Sequence, residues 1–345
     1  MSKKVIKVGI NGFGRIGRNV FRSWLNASYK KHQKEDVIIK IMAINDLAAP
    51  KNLVHLLNYD SVHGKTAVEV GLRENKQLVI RGMIQQEPIQ LYAERDPANI
   101  PWEKHDIDVV MDCTGIFRDG ENLKKHMKGS VKKVVLSAPG KQMDGTFVVG
   151  VNDDQYDKDK HHIISNASCT TNCLAPLAKV IDDAVGIKSG LITTVHAYTA
   201  DQRLLDSDHS DLRRARSAAL SMVPTTTGAA AAVGLVLPNL KGKLDGMAIR
   251  VPTPNVSVVD ATFRVNKKVS EDEIKKILEE GAANSQVLAV EKQPLVSVDF
   301  NGNTNSSIVD LELTKVMGKT VKVISWYDNE VGYSTRMLNL VSKVL

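Results

Sequence analysis

The sequence predicts an α/β fold in two parts: a doubly wound parallel sheet, then an α+β domain on a larger mixed or antiparallel sheet. Three observations lead there. Short apolar runs alternate with helical stretches through the first half of the chain. A glycine-rich turn, Gly12-Phe13-Gly14-Arg15-Ile16-Gly17, follows the first apolar run and opens a helix. After Cys169 the pattern changes to longer strand-like runs separated by a long polar stretch.

Taken in order, residues 5–10 read as a short buried strand and residues 15–24 as a helix. Residues 26–36 (NASYKKHQKED) form a polar excursion with no apolar period, and residues 37–44 (VIIKIMAI) a second buried strand. Runs at 78–80, 89–91, 109–111 and 134–136 supply further strands, and 120–128 a helix. Beyond Cys169, strands are expected at 191–198, 248–251 and 256–263. The first two are separated by the polar stretch 199–216 and an Ala/Gly-rich helix at 228–236. At the end, Met337, Leu338, Leu340, Val341 and Val344 recur at helical spacing within 333–345. The expected division is a first domain over 1–168 and a second over 169–332, with no internal repeat or low-complexity segment.

A chain of 345 residues is long enough for two cores, and 43% hydrophobic with 25% charged residues is an ordinary globular balance. Residues 1–7 lead straight into a strand without the apolar core of a signal peptide. No apolar run reaches the roughly 18 residues of a membrane span. Three cysteines, Cys113, Cys169 and Cys173, are too few and of the wrong parity for a disulfide framework, so a reducing, cytoplasmic compartment is expected. The charge of +7 is spread along the chain, and only 5% of residues are aromatic. A dedicated nucleic-acid binder would show basic grooves with stacking rings. Spread positive charge suits phosphorylated small molecules instead.

The glycine turn matches G-x-G-x-x-G in the strand–turn–helix setting of a Rossmann-type dinucleotide site. Gly12 permits the tight turn, Gly14 lets a pyrophosphate approach the backbone, and Gly17 lets helix and strand pack closely. Arg15 and Ile16 present backbone N–H groups at the helix start. The acidic partner should close the second strand. Asp46 does so, 29 residues after Gly17, and is preferred to Glu35 or Asp36 because the polar excursion accounts for the extra length. A carboxylate there accepts from ribose hydroxyls and repels a 2′-phosphate, which favours NAD.

Cys169 lies in Ser165-Asn166-Ala167-Ser168-Cys169-Thr170-Thr171-Asn172-Cys173-Leu174, just before an apolar helical run. A helix start exposes unpaired N–H groups and the positive end of the dipole, so its thiol is expected to ionise below the usual 8.5, toward about 3.5–7.5. Ser168, Thr170, Thr171 and Asn172 are capping types that also donate to anions. Of nine histidines, His196 is the best placed as a base, at the end of a strand. His161 and His162 would point to opposite faces of a strand and lack a third ligand, so no metal site is expected. Residues 224–230 place hydroxyls and amides at a helix start, with Arg213, Arg214 and Arg216 upstream and Arg250 on a strand, which suits oxyanions. Cys173, one turn after Cys169, reads as a buried structural thiol before a redox partner.

The cysteine segment with Ala175-Pro176, the opening Gly9-Ile10-Asn11-Gly12-Phe13-Gly14 and the late Trp326-Tyr327-Asp328-Asn329-Glu330 resemble phosphorylating glyceraldehyde-3-phosphate dehydrogenases. The resemblance extends over nearly the whole chain. It implies a catalytic second domain in which Cys169 attacks the aldehyde of glyceraldehyde 3-phosphate. His196 then takes the hydroxyl proton as hydride leaves for NAD, and inorganic phosphate releases the thioester as an acyl phosphate. Arg95, Ser137 and Asn329 would border the cofactor, with Asn329 at the nicotinamide amide. Thr199 and Arg250 would hold the substrate's phosphate. Ser168, Thr170, Arg214 and Thr227 would hold the attacking phosphate, with Arg213 and Arg216 as rivals to Arg214, and Gly228 belongs to the same substrate- and phosphate-binding set.

The last helix would pack back onto the first domain, and 199–216 would reach a neighbouring subunit in a homotetramer. A sister group acting on erythrose 4-phosphate departs at Thr225-Thr226-Thr227-Gly228 and His196-Ala197-Tyr198-Thr199, which this chain keeps. The stretch Leu205-Asp206-Ser207-Asp208 resembles dual-cofactor relatives, but Asp208 and Asp46 oppose a 2′-phosphate. NAD therefore stands first, with NADP as a side activity. A non-catalytic binding protein on this fold is set aside by the intact Cys169, His196 and arginines.

Overall fold

The computed structural model describes residues 3–29, 37–81 and 87–345. They form two compact units. The first comprises Met1–Phe147, Gln155–Ala167 and Ser334–Leu345; the second comprises Val148–Asp154 and Ser168–Tyr333.

The first unit is built on a nine-stranded sheet. Seven strands run parallel, in the order Gly145–Thr146, Ile163–Ser165, Lys133–Leu136, Val109–Asp112, Lys4–Asn11, Val37–Asn45 and Ile89–Tyr92. Every residue of Val109–Asp112 and Lys133–Leu136 is buried. Strands covered on both faces read as continuous apolar runs rather than alternating ones, which is why the sequence shows them clearly. The run at 78–80 belongs instead to an antiparallel edge: Gln77–Ile80 pairs with Ile89–Tyr92 on one side and Val70–Arg73 on the other. Glu74 and Asn75 both hold positive φ in the turn that reverses the chain there.

The helix after the glycine turn, Arg15–Tyr29, runs past the expected end near Trp24. Residues 30–36, with Glu35 and Asp36, lie outside the described residues. The helical stretch expected at 120–128 is regular only over Gly120–Lys124. Within this unit the Tyr156 hydroxyl donates to the Val344 carbonyl at 2.9 Å, tying down the end of the chain.

The second unit is a mixed sheet of seven strands, ordered Val223–Thr226, Leu244–Val251, Ile187–Ala197, Ser257–Val265, Thr320–Tyr327, Ser307–Met317 and Leu288–Glu291. Along Ser257–Val265 every second residue, from Ser257 to Val265, is buried. One face of the sheet is therefore covered, by the helices Cys169–Val185, Ala229–Val236 and Glu271–Ala283. Residues 199–222 cross from Ala197 to Val223 without a regular element and are held by their own contacts, among them Ser207 N–H to the Ala215 carbonyl at 3.0 Å. Among the described residues no helix is long and apolar enough to cross a membrane, and no group of three metal-ligating side chains occurs.

Candidate active site

In the first unit the glycine turn is forced by space. Gly12 holds φ 87°, and a Cβ on Gly17 would stand 2.1 Å from the Gly12 carbonyl oxygen. A Cβ on Gly14 would meet nothing within 4 Å, so this stretch of backbone is open to a ligand. Asp46 grips the turn: one carboxylate oxygen accepts from Phe13 N–H at 2.7 Å and the other from Ala48 N–H at 2.9 Å. A cleft of about 470 Å³ opens here, lined by Gly12, Gly14, Asp46, Arg95, Thr114 and Ile116. Arg15 and Ile16 occupy the first turn of the helix, and the Arg15 side chain pairs with Asp60. Ser137 follows the strand Lys133–Leu136, and its N–H donates to the Asp112 carbonyl at 2.9 Å.

Beneath the cleft lies a buried network that sequence reasoning missed. Asn11 donates to Asp112 at 2.8 Å, Asn45 donates to Asn11 at 2.9 Å, and Asp112 accepts from both the N–H and the hydroxyl of Thr114. These residues close three separate strands, so no local spacing reveals them.

In the second unit, Ser168 caps the helix that Cys169 begins, its hydroxyl accepting from Thr171 N–H at 3.0 Å. His196 comes near the end of the strand Ile187–Ala197, which places its Nε2 3.5 Å from the Cys169 sulfur. The other ring nitrogen, Nδ1, sits 2.6 Å from the Ala197 carbonyl, a group that only accepts. Arg250 Nη1, which only donates, stands 3.0 Å from the same nitrogen, but the carbonyl contact is the shorter and places the proton on Nδ1, so that Nε2 turns a lone pair toward sulfur. Arg250, opposite His196 in the parallel strand Leu244–Val251, donates to the same carbonyl at 3.2 Å and to the Thr199 hydroxyl at 3.4 Å.

Electrostatics correct one expectation. Burial raises the Cys169 thiol above its usual range, and it outweighs the Arg250 charge and the Thr170 and Cys169 hydrogen bonds that pull the other way. The helix start is present, but for this half-buried thiol desolvation outweighs what the helix start and the Arg250 charge return. Burial, with Arg250 second, holds His196 down to about 3. The resting pair is thiol and neutral imidazole.

The Thr170 hydroxyl turns inward to Tyr327 at 2.8 Å, and Thr194 meets the same phenol at 2.9 Å. Tyr327, fully buried beneath the pair, carried no signal in the sequence beyond its place in the late motif. Cys173 is buried, its thiol pushed up to about 12, and it contacts Ser307 and Ser325. All three cysteines are free.

Of the clustered arginines, Arg216 forms an exposed ion pair with Asp206, and the Arg213 side chain donates to the Pro224 carbonyl at 3.5 Å. Arg214 lies along the strand Val223–Thr226, bonded to the Thr225 hydroxyl, the Thr226 carbonyl and Asp201. Gly228 caps the helix Ala229–Val236, and the Thr227 hydroxyl accepts from Ala229 N–H. Asn329 is buried, its Oδ1 accepting from the Ser257 hydroxyl.

A parallel sheet with a dinucleotide-type glycine turn, together with a cysteine–histidine pair on a second, mixed sheet, defines the class: a thiol-dependent oxidoreductase with a nucleotide cofactor. Residues 6–120 match the NAD binding domain of glyceraldehyde 3-phosphate dehydrogenase, and residues 168–329 match its C-terminal domain. The chain is 53% identical over 342 residues to glyceraldehyde-3-phosphate dehydrogenase of Geobacillus stearothermophilus, covering 98% of each chain. It is 52% identical over 342 residues to glyceraldehyde-3-phosphate dehydrogenase 1 of Bacillus subtilis, again covering 98% of each. It is also 52% identical over 339 residues to the chloroplastic glyceraldehyde-3-phosphate dehydrogenase A of Zea mays, covering 97% of this chain and 81% of that one. The chain belongs to the glyceraldehyde-3-phosphate dehydrogenase family.

Proposed function

We propose that this protein oxidises D-glyceraldehyde 3-phosphate, with NAD and inorganic phosphate, to 1,3-bisphosphoglycerate through a thioester on Cys169. The observation that carries the reading is the 3.5 Å approach of His196 Nε2 to the Cys169 sulfur beside the Arg250 guanidinium. As sulfur bonds to the aldehyde carbon, His196 takes the thiol proton and passes it to the developing alkoxide, giving a hemithioacetal. His196 next accepts that hydroxyl proton while the C–H bond gives up its hydride and the carbonyl re-forms as a thioester. An oxygen of phosphate attacks this carbonyl, the C–S bond breaks, and sulfur leaves as a thiolate that regains a proton.

The first-unit cleft fits NAD: an open backbone at Gly14, N–H groups of Arg15 and Ile16 at a helix start, and the Asp46 carboxylate. Asp46 keeps lone pairs for ribose hydroxyls beyond the two it gives the backbone. Arg95 and Ser137 border this cofactor, and Asn329 anchors its nicotinamide amide. Bound NAD supplies the two-electron acceptor that the oxidation requires. Arg250 and Thr199 take the substrate's phosphate. Arg214, with Ser168, Thr170, Thr227 and Gly228, takes the attacking phosphate; three of its five N–H donors are engaged within the chain, which leaves two for an anion. The retained threonines favour the triose over erythrose 4-phosphate, and Asp46 favours NAD over NADP.

The units serve as a cofactor domain over about 1–168 and a catalytic domain over about 169–332. Leu204, Leu205, Leu212, Leu220 and Met222 are each 72–83% exposed on residues 199–222, an apolar surface that suits a homotetramer. Light scattering should then give about four times 37.8 kDa, and a fully active monomer would contradict it. Three free cysteines suit the reducing cytoplasm.

The deciding experiment follows NAD reduction with glyceraldehyde 3-phosphate, with and without phosphate. The expected result is sustained turnover with phosphate and a burst of one equivalent per Cys169 without it. Turnover indifferent to phosphate would sink the thioester mechanism. Parallel runs with erythrose 4-phosphate and with NADP test substrate and cofactor choice.

A further inference from the structure

One hydroxyl in the second unit joins two groups that the reaction treats separately. Ser257, 1% exposed, opens the strand Ser257–Val265. Its Oγ accepts from Ala197 N–H at 3.0 Å and lies 2.8 Å from Asn329 Oδ1. The Ala197 amide can only donate, so the single serine proton goes to Asn329. With Oδ1 turned to that proton at 2.8 Å, Nδ2 is the end of the Asn329 amide able to donate elsewhere. Ala197 is also the residue whose carbonyl holds His196 Nδ1 at 2.6 Å. The base's support and the amide's orientation therefore share one side chain.

The backbone leading to Ser257 is strained. Val256 holds φ 66°, a left-handed conformation that a β-branched residue adopts only under constraint. The constraint is visible on both sides. The Val256 side chain is buried against Phe300 and Ile308. The preceding Asn255 donates to Asn301 at 2.8 Å and to Asp328 at 2.9 Å. Asp328 in turn accepts from the N–H groups of Glu330 and Val331, fixing the backbone on either side of Asn329. A simple connection between strands does not require such a conformation. Strain held this firmly, one residue before a doubly used hydroxyl, marks a position where placement matters.

We infer that Ser257 is a positioning residue for the reaction: it orients Asn329 so that Nδ2 is the donor offered to the nicotinamide amide, and it steadies the Ala197 peptide that seats His196. This rests on the roles proposed above for Asn329 and His196.

The test compares Ser257→Ala, Asn329→Ala and the double variant in the full-length enzyme. It reads kcat and KM for NAD, and the pH profile of Cys169 alkylation by iodoacetamide without nucleotide. Ser257→Ala should lower kcat/KM for NAD about tenfold, mainly through KM, as expected for a buried hydrogen-bond pair left unpaired. The double variant should have the NAD KM of Asn329→Ala alone, because the hydroxyl acts on NAD through that amide. The alkylation profile should move in Ser257→Ala and stay at wild type in Asn329→Ala.

Asn329→Asp gives a reading that does not depend on how Ser257→Ala folds. Its carboxylate still accepts the serine proton but offers no N–H, so its NAD KM should rise as in Asn329→Ala. Additive losses in the double variant, a wild-type NAD KM in Ser257→Ala, or a wild-type KM in Asn329→Asp would overturn the inference. A wild-type KM in Asn329→Ala would instead remove the role of Asn329 on which it stands.

Discussion

Replacing His196 with asparagine removes the base while keeping a polar side chain in its place. In the folded chain burial, and then Arg250, hold the ring at about 3 against an ordinary 6.5. At about 1.4 kcal/mol per unit, charging this ring in place costs on the order of 5 kcal/mol. His196 is therefore neutral near pH 7, and its Nε2 stands 3.5 Å from a thiol that burial pushes up. Its loss should lower the rate of aldehyde oxidation by about 10²–10⁴, the usual worth of a general base. Alkylation of Cys169 should shift to higher pH in the variant.

Stability supplies an independent reading. Between about pH 3 and 6.5 the unfolded ring binds a proton that the native ring refuses, so stability falls as pH falls through that window. From pH 7 to pH 5 this site should cost the wild type about 2 kcal/mol, and the asparagine variant nothing. Urea unfolding of both proteins at the two pH values isolates the difference. Equal losses, or an unshifted alkylation profile, would refute the assignment of a buried neutral base.

Cys169→Ser should abolish aldehyde oxidation while NAD binding, followed by fluorescence quenching, survives, because a hydroxyl near neutral pH is a far poorer nucleophile; substantial residual oxidation would exclude the covalent route. Asp46→Asn keeps an acceptor for Phe13 N–H but removes the charge, so the ratio of NADP to NAD efficiency should rise; an unchanged ratio would show that the carboxylate does not select the cofactor. Gly17→Ala drives a Cβ to 2.1 Å from the Gly12 oxygen, and the turn must open to relieve it. NAD affinity should fall by about ten- to a hundredfold while Cys169 alkylation continues, and wild-type affinity would show that the turn does not carry the cofactor.

The parts legible in the sequence are those whose physics is local. Gly12, Gly14 and Gly17 announce the turn because a backbone conformation and a missing Cβ are properties of single positions. The run at 109–111 announces its strand because burial on both faces leaves no room for polar residues. Direction is another matter: nothing in 78–80 distinguishes an antiparallel edge from a parallel interior, since only its hydrogen-bonded neighbours differ. The site divides the same way. Cys169 at a helix start is readable, but the His196 ring and the Arg250 charge beside it come from strands far along the chain. Arg250 faces His196 through the parallel register of two strands whose paired residues lie 54 positions apart. Ser257 sits before an unremarkable Val-Val pair, and its importance emerges only once Ala197 and Asn329 converge on it.

That division bears on how the pair operates. Arg250 lowers the proton affinity of both partners: beside sulfur it favours the thiolate, and beside the ring it disfavours the imidazolium. A thiolate–imidazolium pair would gain from the first effect and lose from the second, so the guanidinium does not decide between charged and neutral forms. Burial decides, and it acts against charge on both groups. A proton leaving Cys169 therefore finds only a transient home on Nε2, and it settles where a stronger base forms, on the oxygen of the attacked aldehyde.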